Sequence, residues 1–173
     1  MNRIAKFEKV SYEQFKNDWI DKMGYYTEAF IKDIYNNIQL PRRSTTGSAG
    51  YDFFAPSNLP ILSNGYLTIP TGIRCKIDDG WVLTAYPRSG HGFKYGIKLA
   101  NTVGVIDSDY YNAKNEGHIF VKLVNESVVG EHKDFSVNSG DAIFQGIFLP
   151  FGITVDDNAD GKRTGGFGST DKK

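Results

Sequence analysis

Cysteine is nearly absent from this chain: Cys75 stands alone among 173 residues. An intrachain disulfide and a Cys-x-x-Cys metal site are therefore both excluded, and a reducing, cytoplasmic location is expected. Charge of one sign is not in excess, since 20 Lys and Arg balance 20 Asp and Glu. That balance argues against a nucleic-acid partner and against a membrane surface. Long apolar runs are missing too. The opening MNRIAKFEKV lacks the hydrophobic stretch of a signal peptide, and no segment is long enough to span a bilayer. His91, His118 and His132 share no ligand spacing and read as structural or solvent-facing. No internal repeat is present. What the chain has instead is 19 Gly, 10 Tyr and 12 Phe, a composition of short strands and tight turns. Its length suits one domain with a core of its own.

Residues 3 to 10 alternate loosely as a first strand, with Ile4 and Phe7 facing inward. Ser11-Tyr12-Glu13-Gln14 then reads as a capping box in which Gln14 reaches back to the cap. Val10 and Phe15 are spaced as the accompanying hydrophobic staple. Tyr12, Phe15, Trp19, Ile20 and Met23 share a helical face, expected to pack against a sheet. Gly24 ends that helix, and Tyr26, Phe30 and Ile34 mark a second. Beyond Leu40 the runs GYLTIP, GIRCKI and WVLTAYP read as strands, with Cys75 as a small core residue. Asn64-Gly65 and Asp79-Gly80 between them are hairpin signals.

The densest chemistry lies in Pro87 to Tyr110, PRSGHGFKYGIKLANTVGVIDSDY. Arg88 and Ser89 offer a guanidinium fork and a hydroxyl suited to phosphate oxygens. Gly90, Gly92 and Gly96 let backbone N–H groups approach a ligand closely. Residues 97 to 110 are expected to form a hairpin ending in Asp107 and Asp109, anions able to take a proton or hold a cation. A phosphate cradle followed by a carboxylate is the layout of a metal-assisted phosphate hydrolase.

This stretch resembles motifs two and three of the trimeric deoxyuridine triphosphatases (dUTPases). Ser48-Ala49-Gly50-Tyr51-Asp52 resembles their motif one, GDAIFQGIFLP from Gly140 to Pro150 motif four, and Gly165 to Thr170 motif five. All of them occur in register. The resemblance implies a mainly β chain, a distorted jelly-roll-like barrel (β-clip) that assembles as a homotrimer with sites at subunit interfaces. Residues 1–173 would be one domain, with 11–36 a helical addition and 156–173 a mobile C-terminal arm.

The implied substrate is dUTP, hydrolysed to dUMP and pyrophosphate with Mg²⁺. Asp107 would activate the attacking water, and Asp52 would hold the metal indirectly, through water. Arg88, Ser89, Gly90 and Gln145 would meet the phosphates. Asn101 and Val105 would read uracil from an extended backbone, and Tyr110 would lie under the sugar and reject a ribose hydroxyl. On the arm, Phe167 with Gly168 would cover the base, and Ser169 and Thr170 would bond phosphates. Arg163 is preferred over Lys162 as the γ-phosphate clamp, because its planar fork meets two oxygens at once.

The chain also departs from the family pattern. Residues 111 to 116 intervene between Tyr110 and Gly117, where a glycine is usual two positions on; the added polar residues 112 to 116 are expected to form a solvent-facing loop. Ala142 replaces a common arginine. Lys122 stands where the related deoxycytidine triphosphate deaminases carry a catalytic glutamate, which argues against deamination. A nucleotide-sensing regulatory scaffold is the rival from outside enzymology, and the retained Asp107 argues against it.

Overall fold

The structure, a computed structural model, describes residues 2–126, 133–161, 163 and 165. Strand β1 (Ala5–Lys9) leads into helices α1 (Tyr12–Met23) and α2 (Glu28–Asn37). The strands β2 (Arg42–Arg43), β3 (Tyr51–Phe54), β4 (Leu59–Ile61), β5 (Tyr66–Pro70), β6 (Ile73–Ile77) and β7 (Trp81–Pro87) follow. After them come α3 (Ser89–Tyr95), β8 (Ile97–Leu99), β9 (Gly104–Ile106) and a 3-10 turn (Ser108–Asn112). Strands β10 (Phe120–Asn125), β11 (Phe135–Val137) and β12 (Ala142–Pro150) complete the described elements.

The chain is mainly β, as expected. Its strands do not close into one continuous barrel ladder among the described residues. They form sheets ordered β2-β3-β12-β7-β9, β5-β10-β8, β1-β6 and β4-β11, wrapped around one hydrophobic core. Every pairing is antiparallel. Central strand β12 bonds β3 on one edge and β7 on the other, with a register shift between Ala142 and Phe144. Gly146 is required there, because a Cβ would come 2.8 Å from Leu83 Cδ1 and 3.0 Å from the Phe53 ring. Phe53 and Phe144 stack at 4.3 Å between centroids in the same layer.

The sequence predicted turns well and hairpins poorly. Asn64-Gly65 and Asp79-Gly80 do make turns, with Asn64 and Gly80 at positive φ. The strands they join are not partners, however: β4 pairs with β11, β5 with β10, β6 with β1, and β7 with β12 and β9. Residues 97 to 110 likewise form no hairpin ladder, because β8 bonds β10 while β9 bonds β7. Chain neighbours are sent to different sheets, a choice that local turn chemistry does not specify.

Both predicted helices form and both join the core. Ser11 Oγ accepts from Gln14 N–H at 3.2 Å, and Thr27 Oγ1 caps α2 through Phe30 N–H at 3.4 Å. Val10, Phe15, Trp19, Ile31 and Ile34 are buried with the sheet residues, and Gly72, at φ +74°, leaves room for Ile38 and Phe15. The far half of the expected capping box is absent. Gln14 turns instead to Asp18 Oδ2 at 2.8 Å. The Ser11 N–H and hydroxyl are both taken by the Glu116 carboxylate, at 2.7 and 2.6 Å.

That contact also corrects the reading of 112 to 116 as a solvent loop. Ala113 is buried, Asn115 is half-buried and bonded to the Tyr110 hydroxyl, and Glu116 is spent on the α1 cap. Tyr111 beside them donates to Glu8 Oε2 at 2.6 Å and lies under the Arg74 guanidinium at 3.6 Å. Only Asn112 and Lys114 are exposed as expected. Glu116 and Tyr111 face inward because the α1 cap and β1 supply their partners, and Asn115 because Tyr110 does, which the local sequence could not reveal.

Candidate active site

Strand pairing gathers the first cluster. On β12, Gln145 sits opposite Asp52 of β3 and opposite Tyr86 of β7. Strand β7 ends at Pro87, Arg88 takes the N-cap position of α3, and Ser89 and Gly90 open its first turn. Those first N–H groups have no helical acceptor, as at any helix start. Arg88 Nε lies 3.4 Å from Asp52 Oδ1, and its Nη1 reaches the Ala142 carbonyl at 3.5 Å. Gln145 Nε2 donates to the Pro87 carbonyl at 3.3 Å. A Cβ on Gly50 would stand 2.5 Å from Gln145 Oε1, so the glycine makes space for the amide. Asp52, Arg88, Ser89, Gly90 and Gln145, expected to act together, are brought together.

A cavity of about 390 Å³ opens here, lined by Arg88, Ser89, Gly90, His91 and Lys94. Two basic side chains and no carboxylate line it, which favours an anion. Burial, then the neighbouring Arg88 charge, pushes His91 below the ordinary imidazole range, so its ring is neutral at pH 7. His91 and Lys94 escaped the sequence reading. The signal was present: Arg88, His91 and Lys94 are spaced by three, which puts them on one helical face.

The second cluster forms around β8 and β9. Each is the edge strand of its sheet. Val103 N–H bonds the Asn101 carbonyl at 2.6 Å and tightens the connecting loop. A second cavity, of about 460 Å³, is lined by Asn101, Gly104, Ile106, Phe120 and Lys122, and also by Asp18 of α1 and by Asn115. A Cβ on Gly104 would lie 3.1 Å from that of Ala85 and fill part of this floor. Val105 alternates outward between buried Gly104 and Ile106 and is 56% exposed. Lys122 also stands over the Tyr66 ring at 3.9 Å.

Asp107 follows directly, at the start of the 3-10 turn, with its carboxylate 53% exposed. Tyr110 is buried; its hydroxyl donates to the His118 carbonyl at 2.7 Å and accepts from Asn115 Nδ2 at 2.8 Å. Burial holds that phenol above its usual range, against smaller opposing effects of Asn115 and Arg163. Arg163 Nη1 bonds Asp107 Oδ2 at 2.8 Å and Asp109 Oδ1 at 3.3 Å, and its guanidinium lies 4.9 Å from the Tyr110 ring centroid. Arg163 thus seats on the carboxylate cluster of its own chain rather than on the Arg88 cavity. No hydrogen bond or ion pair joins the two clusters among the described residues. Lys162, Phe167, Gly168, Ser169 and Thr170 lie outside the described residues.

No set of three or more His, Cys, Asp or Glu side chains is placed to cage a metal among the described residues. Asp52, one carboxylate already beside Arg88, fits a hard cation carried mostly by ligand oxygens and waters, the usual habit of Mg²⁺.

A dUTPase family profile matches residues 36–171. The deoxyuridine 5'-triphosphate nucleotidohydrolase of Lactococcus lactis subsp. lactis (strain IL1403) is 41% identical over 136 residues, 77% of this chain and 88% of that protein. The crystal structure of dUTPase from Streptococcus mutans superposes with a TM-score of 0.63 at 32% identity, covering 87% of this chain and 98% of that one. A variant of the dUTPase from phage phi11 of S. aureus, which coordinates a structural Mg(II) ion, shares the fold: TM-score 0.62, 16% identity, 92% and 98% covered. The match spans both clusters, from the Asp52 strand to the Arg163 segment, and on it the chain belongs to the dUTPase family.

Proposed function

We propose that this protein hydrolyses dUTP to dUMP and pyrophosphate in the cytoplasm, with Mg²⁺, as a homotrimer of distorted jelly-roll domains. The observation that carries the reading is the convergence of Asp52, Gln145 and Arg88 through the β3-β12-β7 pairing, in a chain that also presents Asp107 beside a base-sized cleft. The sites are formed between subunits, one supplying the phosphate cluster and another the Asp107 cluster. Support for association comes from apolar side chains left in solvent by the single chain, among them Phe93 at 93% and Ile153 at 73% exposure.

Uracil enters the cleft between β8 and β9, where the Asn101 side chain and the backbone at Gly104 and Val105 meet its acceptor–donor–acceptor edge. Tyr110 packs against C2′ and leaves no room for a ribose hydroxyl. Arg88, Ser89 and Gly90 bind the phosphates and Gln145 orients them, stabilising charge that moves toward the leaving pyrophosphate. Asp52 is the residue that would hold Mg²⁺, indirectly through water, and the bound ion would supply charge neutralisation on the triphosphate. Asp107 accepts the proton of a water aligned with the α-phosphorus. For that, Arg163 has to leave Asp107, and a triphosphate offers the guanidinium a stronger anion. Residues 156–173 act as a closing arm, with Phe167 and Gly168 over the base and Ser169 and Thr170 on the phosphates.

The deciding assay is pyrophosphate release from dUTP, UTP, dCTP and dTTP. Release confined to dUTP is expected, with no deoxyuridine product from dCTP because Lys122 cannot serve as the carboxylate that deamination needs. Equal turnover of dCTP or UTP would overturn the reading.

A further inference from the structure

Two parts of this chain meet behind Tyr110: helix α1, outside the matched residues 36–171, and the inserted segment 112–116. His118, with no exposure at all, is clamped between two partners. Its Nε2 accepts the Gly72 N–H at 2.7 Å, and because that N–H can only donate, the ring proton must sit on Nδ1. Nδ1 therefore donates to Asp18 Oδ2 on α1, at 2.6 Å. The carbonyl of this same His118 accepts the Tyr110 hydroxyl at 2.7 Å, while Asn115 Nδ2 donates to that hydroxyl at 2.8 Å. The phenol is held as donor and as acceptor together. Glu116 ties the insertion back to the first residue of the helix cap, Ser11, through both its N–H and its hydroxyl. The loop is thus locked onto α1 at one point and grips the tyrosine at another.

We propose that Asp18 and Asn115 are positioning residues that hold Tyr110 in the place that rejects ribose, so sugar selection depends on the N-terminal helix and the insertion. The proposal rests on the dUTPase reading above, which puts the Tyr110 ring against C2′. Discrimination by exclusion demands a wall that does not yield, and a ring free to shift by a fraction of an ångström would admit a hydroxyl. Asp18 acts through His118, and Asn115 acts on the phenol directly. Both also line the 460 Å³ cavity, so the Tyr110→Phe background and the exchange measurement below are what separate positioning from direct contact.

The test is the ratio of kcat/KM for dUTP over UTP in full-length protein. Asp18→Ala and Asn115→Ala should each lower it about tenfold, the range in which small changes of pocket shape act. Asp18→Asn keeps an oxygen for the His118 proton and should restore the ratio. In a Tyr110→Phe background, which lacks the hydroxyl, Asn115→Ala should add nothing, whereas a merely structural role would give additive losses. An unchanged ratio in both alanine variants, or additivity in the double variant, would overturn the proposal. Amide exchange over residues 108–118 reads the same clamp without substrate and should quicken in Asn115→Ala and Asp18→Ala. Unchanged exchange would also overturn it. A wild-type protein that leaves dUTP intact while this exchange does quicken would instead sink the functional reading and leave the clamp standing.

Discussion

At the scale of single residues, two side chains make opposite demands. Asp107 is exposed, and the role proposed for it requires the carboxylate to be free to accept a proton at the moment of attack. Asp107→Asn keeps the shape and removes the base, so hydrolysis should fall roughly a hundredfold or more while nucleotide binding stays nearly intact. Single-turnover rates beside a dUTP titration check this, and near-normal turnover would take Asp107 out of the mechanism. Cys75 is the converse case. Burial, with a smaller push from Glu8, raises its thiol to about 12, and a thiol so placed is unreactive at neutral pH. Native protein should resist a thiol reagent at pH 8 and react within the mixing time once unfolded; rapid labelling of the folded chain would contradict the burial.

At the scale of elements, the α1 cap is completed by a residue distant in sequence. Glu116 is subject to desolvation, the largest single effect, which raises its carboxyl. The two hydrogen bonds from Ser11 and the charge of Arg74 together outweigh it, and the net direction is downward from 4.5. A carboxyl depressed in the folded state contributes stability above its unfolded value and loses it as pH falls through the folded one. Glu116→Gln should therefore cost about 1 kcal/mol at pH 7, the difference between a charged and a neutral hydrogen bond, and progressively less below pH 4.5. Thermal unfolding of both proteins across that range would show it. A gap that widens on acidification would remove Glu116 from the cap.

At the scale of the whole molecule, the core is expected to be separable from the proposed closing arm. The core draws on β1, helices α1 and α2 and every sheet, and it includes no described residue beyond β12. Truncation after Asp160 should leave secondary structure, melting temperature and association state close to those of the full chain. Hydrolysis of dUTP should drop by about two orders of magnitude or more, the scale expected when preorganised charge and solvent exclusion are removed together. Circular dichroism, light scattering and a pyrophosphate assay on the same sample would separate these outcomes; a truncated protein that keeps full activity would remove the arm from the reaction.

What the sequence determined by itself was local or written in motifs. The strand-rich composition, the Ser11 helix start, the buried face of α1, and the grouping of Asp52, Arg88 and Gln145 could all be read before any fold was known. Those features depend on propensity, on side-chain period, or on residue types the chemistry cannot replace. What only the tertiary structure decided was partnership. Asn64-Gly65 reads as a hairpin, yet its flanking strands bond others; Gln14 reads as the far half of a capping box, yet Glu116 takes that place; 112 to 116 read as a solvent loop, yet Asn115 holds the Tyr110 hydroxyl. In each case two acceptors or two edges were equally able to satisfy the same group locally. The choice fell to the arrangement that buried the common core, and that energy is spread over the whole chain rather than written at any one position.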